Sequence, residues 1–240
     1  MAGTSIIFPD ANPSQADVIA TLWTPEGIAP NLVTELVLGV SGQASVLNHA
    51  APETPGSIFG APTYAPHSII AAQGTNSGID TGMPASESDQ TFLIVIKGFS
   101  GGSIFASTNQ FTGLLYAVSN NTWGFYNSQG GVAPDVAEAP PVSGNGFQFV
   151  IGWGSQGGKG NIQTGSGGAL SATVTGNADG DVRPTANVKL GGTAYGNAGF
   201  ECAFAARVPA ILTPAQRLAW YNCLRGDGTA AGSPLGVAVA

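Results

Sequence analysis

The sequence predicts an all-β fold, a two-sheet antiparallel jelly-roll β-sandwich with one short C-terminal helix. Three observations lead there. The 240 residues include 36 glycines and 16 prolines, yet 43% are hydrophobic, so apolar material for a core alternates with abundant turn residues. Short β-branched and aromatic runs recur between Gly, Pro, Asn and Ser clusters, about ten to twelve in all, a number that suits a jelly roll. Only one stretch, opened by Thr213-Pro214, carries a full set of helix signals. The length is compatible with one large domain.

Taken in order, residues 1–34 differ from the rest. Pro9, Pro13, Pro25 and Pro30 punctuate them, around a candidate helical turn over Ser14 to Trp23. Two readings stand side by side: a strand and linker packed along the domain, or an arm that docks on a neighbouring subunit with Trp23 as anchor. Glu35 to Val40 is an apolar run ending in the turn Ser41-Gly42, and opens the sandwich expected over residues 35–226. Residues 48–68 are too rich in proline for a central strand. Strands are expected at Ser68 to Ala72 and Ile79 to Thr81, and Met83 to Gln90 reads as a polar loop. Thr91 to Lys97 is β-rich and almost wholly apolar, the pattern of a central strand buried on both faces. Ser103 to Ser107, Leu114 to Val118 and Thr122 to Tyr126 continue as a meander, with Asn120-Asn121 turning the last pair.

Residues 127–146 read as a crossover loop before a strand at Phe147 to Trp153. Gly154 to Gly168, mostly Gly, Ser and Gln, is expected to be a mobile or extended loop. Leu170 to Thr175, Val188 to Leu190 and Gly199 to Val208 supply the remaining strands. In the last, alternation puts Phe200, Cys202, Phe204 and Ala206 on one face. Thr213 caps the helix, Pro214 suits its first turn, and Gln216 completes a capping box. Leu218, Tyr221 and Leu224 are the expected buried stripe, and Gly226 the stop. Residues 227–240 form a tail expected to be flexible or docked. Cys202 and Cys223 are expected to be two buried thiols rather than a disulfide.

Several of these residues carry a resemblance. Leu190-Gly191-Gly192, the strand Phe200 to Ala206 and the segment Leu212 to Leu224 resemble the end of concanavalin A-like, laminin-G-like jelly rolls. Asp80-Thr81-Gly82 and Thr91 to Lys97 resemble the segment that begins the core of such domains. The version most similar is that of bacteriophage and prophage tail or appendage proteins. The resemblance implies a virion component, assembled in a bacterial host cytoplasm, with other virion proteins as partners and a homo-oligomeric state, such as the trimer of many fibre proteins.

Charge narrows the function. Charged residues make up 9% of the chain, against roughly 25% in ordinary domains, and the net charge is −7 with 7 basic residues. Nucleic acid, which needs clustered Lys and Arg, is excluded as a partner. No apolar run reaches the length of a membrane span, and the N-terminus lacks the basic and apolar regions of a secretory signal, so membrane insertion is not expected. A chain made and retained in a cytosol, or assembled there into a particle, is the expectation.

Catalytic patterns are sparse. His49 and His67 sit in the proline-dense segment without ligand spacing, and Gly157-Gly158-Lys159 lacks the remaining phosphate-loop residues. The E-x-D of Glu87-Ser88-Asp89 is followed at the third position by Phe92, which breaks the glucanase pattern of paired carboxylates. Asp135 and Glu138 have the spacing of a helical pair but lie among Ala and Pro. The expectation is a protein that is not an enzyme and needs no cofactor. Asp179 and Asp181 are weak Ca²⁺ candidates, for which a plain turn is the simpler reading.

Sugar recognition combines aromatic faces with amide or carboxylate groups. Trp123, Tyr126 and Asn127 offer that mixture, and Trp153 is a second aromatic candidate; the competing reading buries Trp123 with Phe125 in the core. The expected function is therefore attachment to a host-surface glycan by a lectin-like domain. The alternative is a structural decoration or cement protein of the particle, and a glycan hydrolase stands behind both.

Overall fold

A computed structural model describes residues 34–107, 112–117, 121–127, 135–141, 146–180, 183–192 and 198–240. Residues 1–33, with Trp23 and the proposed arm, lie outside the described residues, as does Asp181. Two antiparallel sheets face each other. The larger, with nine strands, takes β1 (Thr34–Val37), β3 (Thr63–Ala65), β4 (Ser68–Ala71), β6 (Asp89–Lys97), β11 (Gln148–Ser155), β12 (Gly158–Ser166), β13 (Ala169–Leu170), β14 (Val174–Gly180) and β16 (Phe200–Val208). The smaller, with seven, runs β10 (Asp135–Ala139), β9 (Thr122–Asn127), β8 (Gly113–Ala117), β7 (Gly102–Ser107), β15 (Asn187–Leu190), β5 (Gly78–Pro84) and β2 (Ser57–Phe59). The helices are α1 (Gly42–Ser45) and α2 (Pro214–Arg225). The jelly-roll sandwich and its C-terminal helix are thus as the sequence predicts.

The inner core lies between the sheets and includes Phe92, Phe105, Leu114, Trp123, Phe125, Val150, Phe200 and Cys202. A second core lies on the outer face of the larger sheet. There α2 contributes Trp220, Tyr221 and Leu224, residues 227–240 contribute Leu235, Val237 and Val239, and the sheet supplies Leu93, Val95, Phe149 and Phe204. The tail is therefore docked: Val239 bridges Phe147, and the N–H of Ala240 donates to the Phe147 carbonyl at 2.9 Å. Two covered faces explain why β6 reads as a continuous apolar run. The proline-dense segment supplies only the edge strands β2 and β3, where a missing N–H costs no ladder bond.

Four expectations are corrected. First, Gly154 to Gly168 is the β11–β12 hairpin and the strand β12, not a loop. Gly165 in it is a contact surface: a Cβ there would come within 2.4 Å of the Tyr221 ring, so the apolar group that fills this position belongs to the helix. Second, residues 127–146 contain β10, which pairs with β9 from Asp135↔Asn127 to Ala139↔Trp123. Asp135 and Glu138 consequently stand in a strand and do not form a helical pair.

Third, a bulge interrupts β16. Cys202 pairs with Ile96 but Phe204 already pairs with Val95, so the alternation reverses at Ala203. Phe200 and Cys202 face the inner core, whereas Phe204 and Ala206 face the helix. Neither cysteine is in a disulfide, and the sheet itself separates Cys202 from α2; only Cys202 is fully buried, Cys223 being half-buried. Burial raises the Cys202 thiol far above its ordinary range, so it stays protonated. Fourth, the buried stripe of α2 is Arg217, Trp220, Tyr221 and Leu224, while Leu218 is 39% exposed. Arg217 belongs to the stripe because its stem lies on apolar surface and its charged head finds partners. The capping box at Thr213 and Gln216 forms as expected.

Candidate functional site

The aromatic and amide candidates do not converge. Trp123 is fully buried, packs at a tilt against Phe99 with ring centroids 4.5 Å apart, and donates its indole N–H to Gln148 Oε1 at 3.2 Å. The core reading holds for it and for Phe125, whose ring occupies the place of a side chain at Gly152. Trp153 points the other way, into the second core, and the Arg217 guanidinium covers its ring at 3.8 Å. Arg217 donates onward to Gln163 Oε1 at 2.9 Å and to the Leu212 carbonyl at 2.5 Å. Neither tryptophan has a ring face for a ligand.

Asn127 is a buried clamp. Its Nδ2 donates to the carbonyls of Ser155 and Gly158 at 3.0 and 2.6 Å, and its Oδ1 accepts from Arg183 Nη1 at 2.7 Å. Arg183 also donates twice to the Ser88 carbonyl, at 3.0 and 2.6 Å. Burial lowers the Arg183 guanidinium to about 10, against the opposing pull of Asp89. Asn127 and Arg183 thus tie β9, the β11–β12 turn and the start of β6 together. They fix the end of the sandwich and leave no group for a sugar.

The E-x-D carboxylates are likewise engaged. Glu87 Oε2 accepts from Arg207 Nη1 at 2.5 Å, and Arg207 is 0% exposed between the sheets, with burial lowering its guanidinium and Glu87 raising it. Asp179 is exposed on β14, opposite Lys159 of β12, in a strand and not a turn. Among the described residues no group of three His, Cys, Asp or Glu side chains is placed to hold a metal ion. Also among them, no helix is long and apolar enough to cross a membrane.

The remaining candidate, Tyr126, belongs to a different constellation. Trp123 and Phe125 point into the core, so Tyr126 points out from the smaller sheet. Strand register places it at the head of a row that crosses the sheet: Tyr126 pairs with Gly113, Gly113 with Ala106, Ala106 with Lys189, Lys189 with Asp80, and Asp80 with Ser57. Residues in one such row share a face. Ala106 is buried and belongs to neither core; its place on the outward face follows from register. Tyr126 and Lys189 stand three strand intervals apart, about 14 Å at about 4.8 Å per strand. Between them the row presents only Gly113 and Ala106.

Each flank pairs an aromatic with a carboxylate. On one side Glu138 lies opposite Gly124, diagonal to Tyr126; burial and this carboxylate together push the Tyr126 phenol up. On the other, Lys189 Nζ lies 3.7 Å from Asp80 and 5.1 Å from the centroid of the half-buried Phe59 ring. Asn187 Nδ2 donates to Asp80 Oδ1 at 3.0 Å. Gly113, at φ +144° with backbone and the Ala106 side chain within 2.6 Å of any added Cβ, admits no side chain. The floor is therefore held low by geometry.

Comparison with known proteins gives a fold and no family. No family profile matches the sequence, and no curated protein matches it. Solved structures do. The binding domain of botulinum neurotoxin DC in complex with SialylT aligns with a TM-score of 0.57 at 11% identity, over 81% of this chain and 52% of that one. Trypanosoma rangeli sialidase in complex with 2,3-difluorosialic acid aligns at 0.54 and 15%, over 82% and 34%. Domain 4 of AbnA, a GH43 extracellular arabinanase from Geobacillus stearothermophilus, in complex with arabinotriose, aligns at 0.50 and 14%, over 79% and 98%. The chain thus spans about half of the neurotoxin chain, a third of the sialidase and nearly all of the arabinanase domain. What these likenesses define is the fold, a β-sandwich of the jelly-roll type.

Proposed function

We propose that this protein is a lectin-like carbohydrate-binding module whose ligand lies across the outward face of the smaller sheet. The observation that carries the reading is the row from Tyr126 to Asp80, with small residues at Gly113 and Ala106 between two flanks that each pair an aromatic with a carboxylate. An aromatic face takes the apolar side of a sugar ring, and carboxylate or amide oxygens accept its hydroxyls. Support comes from the arabinanase domain, 98% of which aligns with 79% of this chain and which is in complex with arabinotriose.

The reading is non-catalytic. Glu138 on β10 and Asp80 on β5 are five strand intervals apart, about 24 Å at about 4.8 Å each, where a glycosidase needs carboxylates roughly 5–10 Å apart. Glu87, the other sequence candidate, is ion-paired with Arg207. The finer reading, a bacteriophage or prophage tail or appendage component that attaches to a host glycan and assembles through residues 1–34, rests on the family resemblance and the low charge.

The test is a glycan array followed by calorimetric titration of the best ligand into the full chain, Tyr126→Ala and Ala106→Trp. Tyr126→Ala is expected to weaken binding at least tenfold, about 1.4 kcal/mol, by removing the ring. Ala106→Trp is expected to block the floor. Undiminished binding in both, with melting temperatures unchanged, would move the site elsewhere.

A further inference from the structure

We infer that the glycan taken by this face is uncharged, and that the protein discriminates against carboxylated, sulfated or phosphorylated sugars. The inference rests on the carbohydrate-binding reading above and adds the ligand class. It follows from where the cations are. The chain has 7 basic residues, and all lie among the described residues. Lys97 is 3.1 Å from Glu201 and covers the Phe147 ring. Arg207 is buried against Glu87, Arg183 is spent on Asn127 and backbone carbonyls, and Arg217 lies on Trp153. Each of these holds the sandwich together and faces no ligand.

The remaining cations do not converge. Lys159 stands opposite Asp179 near the start of β12, while Arg225 neighbours Gly168, just past its end. The strand between them keeps the two roughly 25 Å apart at about 3.3 Å per residue. On the proposed binding face the cation is Lys189, and its Nζ is 3.7 Å from Asp80. Anion recognition relies on charge-assisted hydrogen bonds, commonly from arginine, which are about twice as strong as neutral ones. This face has no arginine, and carboxylates stand at both of its flanks. An anionic sugar would also approach a molecule of net charge −7. A sialic acid, such as the ligand of the sialidase, carries a carboxylate, whereas arabinotriose, the ligand of the arabinanase domain, carries no charge. The charge layout here suits the second.

The experiment uses the full chain and matched pairs of sugars: lactose with 3′-sialyllactose, and arabinotriose with trigalacturonic acid. Affinities are measured at about 20 and about 150 mM salt, where the screening length falls from roughly 20 to about 8 Å. The neutral member is expected to bind at least tenfold more tightly at low salt, with the gap narrowing as salt rises. Asp80→Asn, which frees Lys189 while keeping an oxygen for Asn187 and the Gly82 N–H, is expected to raise the affinity for the acidic member several-fold. Glu138→Gln should act in the same direction from the other flank. An acidic sugar bound as tightly as its neutral partner, or a gap indifferent to salt and to both variants, overturns the inference and leaves carbohydrate binding standing. Failure of every sugar on a broad neutral and acidic array overturns the carbohydrate-binding reading itself, and the inference with it.

Discussion

The two outward faces of the sandwich have opposite fates. On the larger sheet, helix α2 and the tail cover the strands and make a second core from Trp220, Tyr221, Leu224, Leu235 and Val239. On the smaller sheet neither helix packs, and the row from Tyr126 to Asp80 offers small residues between polar flanks. The same architecture thus builds a second core on one face, while the other is the one proposed above for recognition. The difference is in side-chain size and charge, not in backbone. Glycine shows it well. Gly165 on the covered face receives the Tyr221 ring, whereas Gly113 on the other face has only backbone and Ala106 close by, and keeps the surface low.

Substitutions should therefore divide by face, in stability on one side and in binding on the other. The largest stability effect is expected at Trp220, which is fully buried and packs on Phe204 with ring centroids 5.6 Å apart. Trp220→Ala should cost about 3–5 kcal/mol, the range for a large aromatic removed from a core. Glu138→Gln on the other face, at an exposed side chain, should cost less than about 1 kcal/mol. Urea denaturation of both variants measures the contrast. Similar losses would mean that the smaller sheet is covered as tightly as the larger.

How far the sequence discloses this division depends on where each apolar group comes from. Strand β6 is legible because Phe92, Leu93, Ile94, Val95 and Ile96 supply their own hydrophobicity to both cores. The α2 cap is legible because Thr213 and Gln216 act locally. Strand β12 is hidden because its contact with the helix is made by Tyr221 against Gly165, 56 positions away on no visible pattern. The bulge at Ala203 is hidden because an extra residue inverts alternation without changing composition. The proposed site is hidden for a further reason. Residues 80, 106, 113, 126 and 189 meet only through strand register, which no local spacing encodes. Tyr126 is found by residue type alone; Trp123 and Trp153 share that type and are buried.

A middle-sized effect tests whether the tail is part of the covered face or an accessory to it. Leu235 is buried beside Val237 and Val239, and Ser233 Oγ donates to the Leu224 carbonyl at 2.8 Å, fastening the tail to the end of α2. Leu235→Ala is expected to cost about 2–3 kcal/mol, near the low end for a buried leucine because the tail can settle into the gap. Thermal melts give the value, and hydrogen exchange gives the location. Protection lost across the backbone of both the tail and β11 would show one cooperative unit, whereas loss confined to residues 227–240 would make the tail separable.

The smallest expected effect is a pH dependence that should arise on the covered side. His49 precedes Ala50, which packs against the second core, and burial holds the His49 imidazole below its ordinary value of about 6.5. A depressed histidine binds fewer protons folded than unfolded. Its contribution is therefore constant above the ordinary value, and stability falls as pH drops below it toward the folded value. Between pH 7.5 and 5.5 the wild type should lose stability relative to His49→Gln, by less than about 1 kcal/mol for a half-buried group. The double difference between the two proteins removes the contribution of carboxylates common to both. Sugar binding over the same interval should be unchanged in both proteins, because His49 is not part of the row from Tyr126 to Asp80. A binding affinity that followed the His49 titration would show that the two faces communicate through the sandwich.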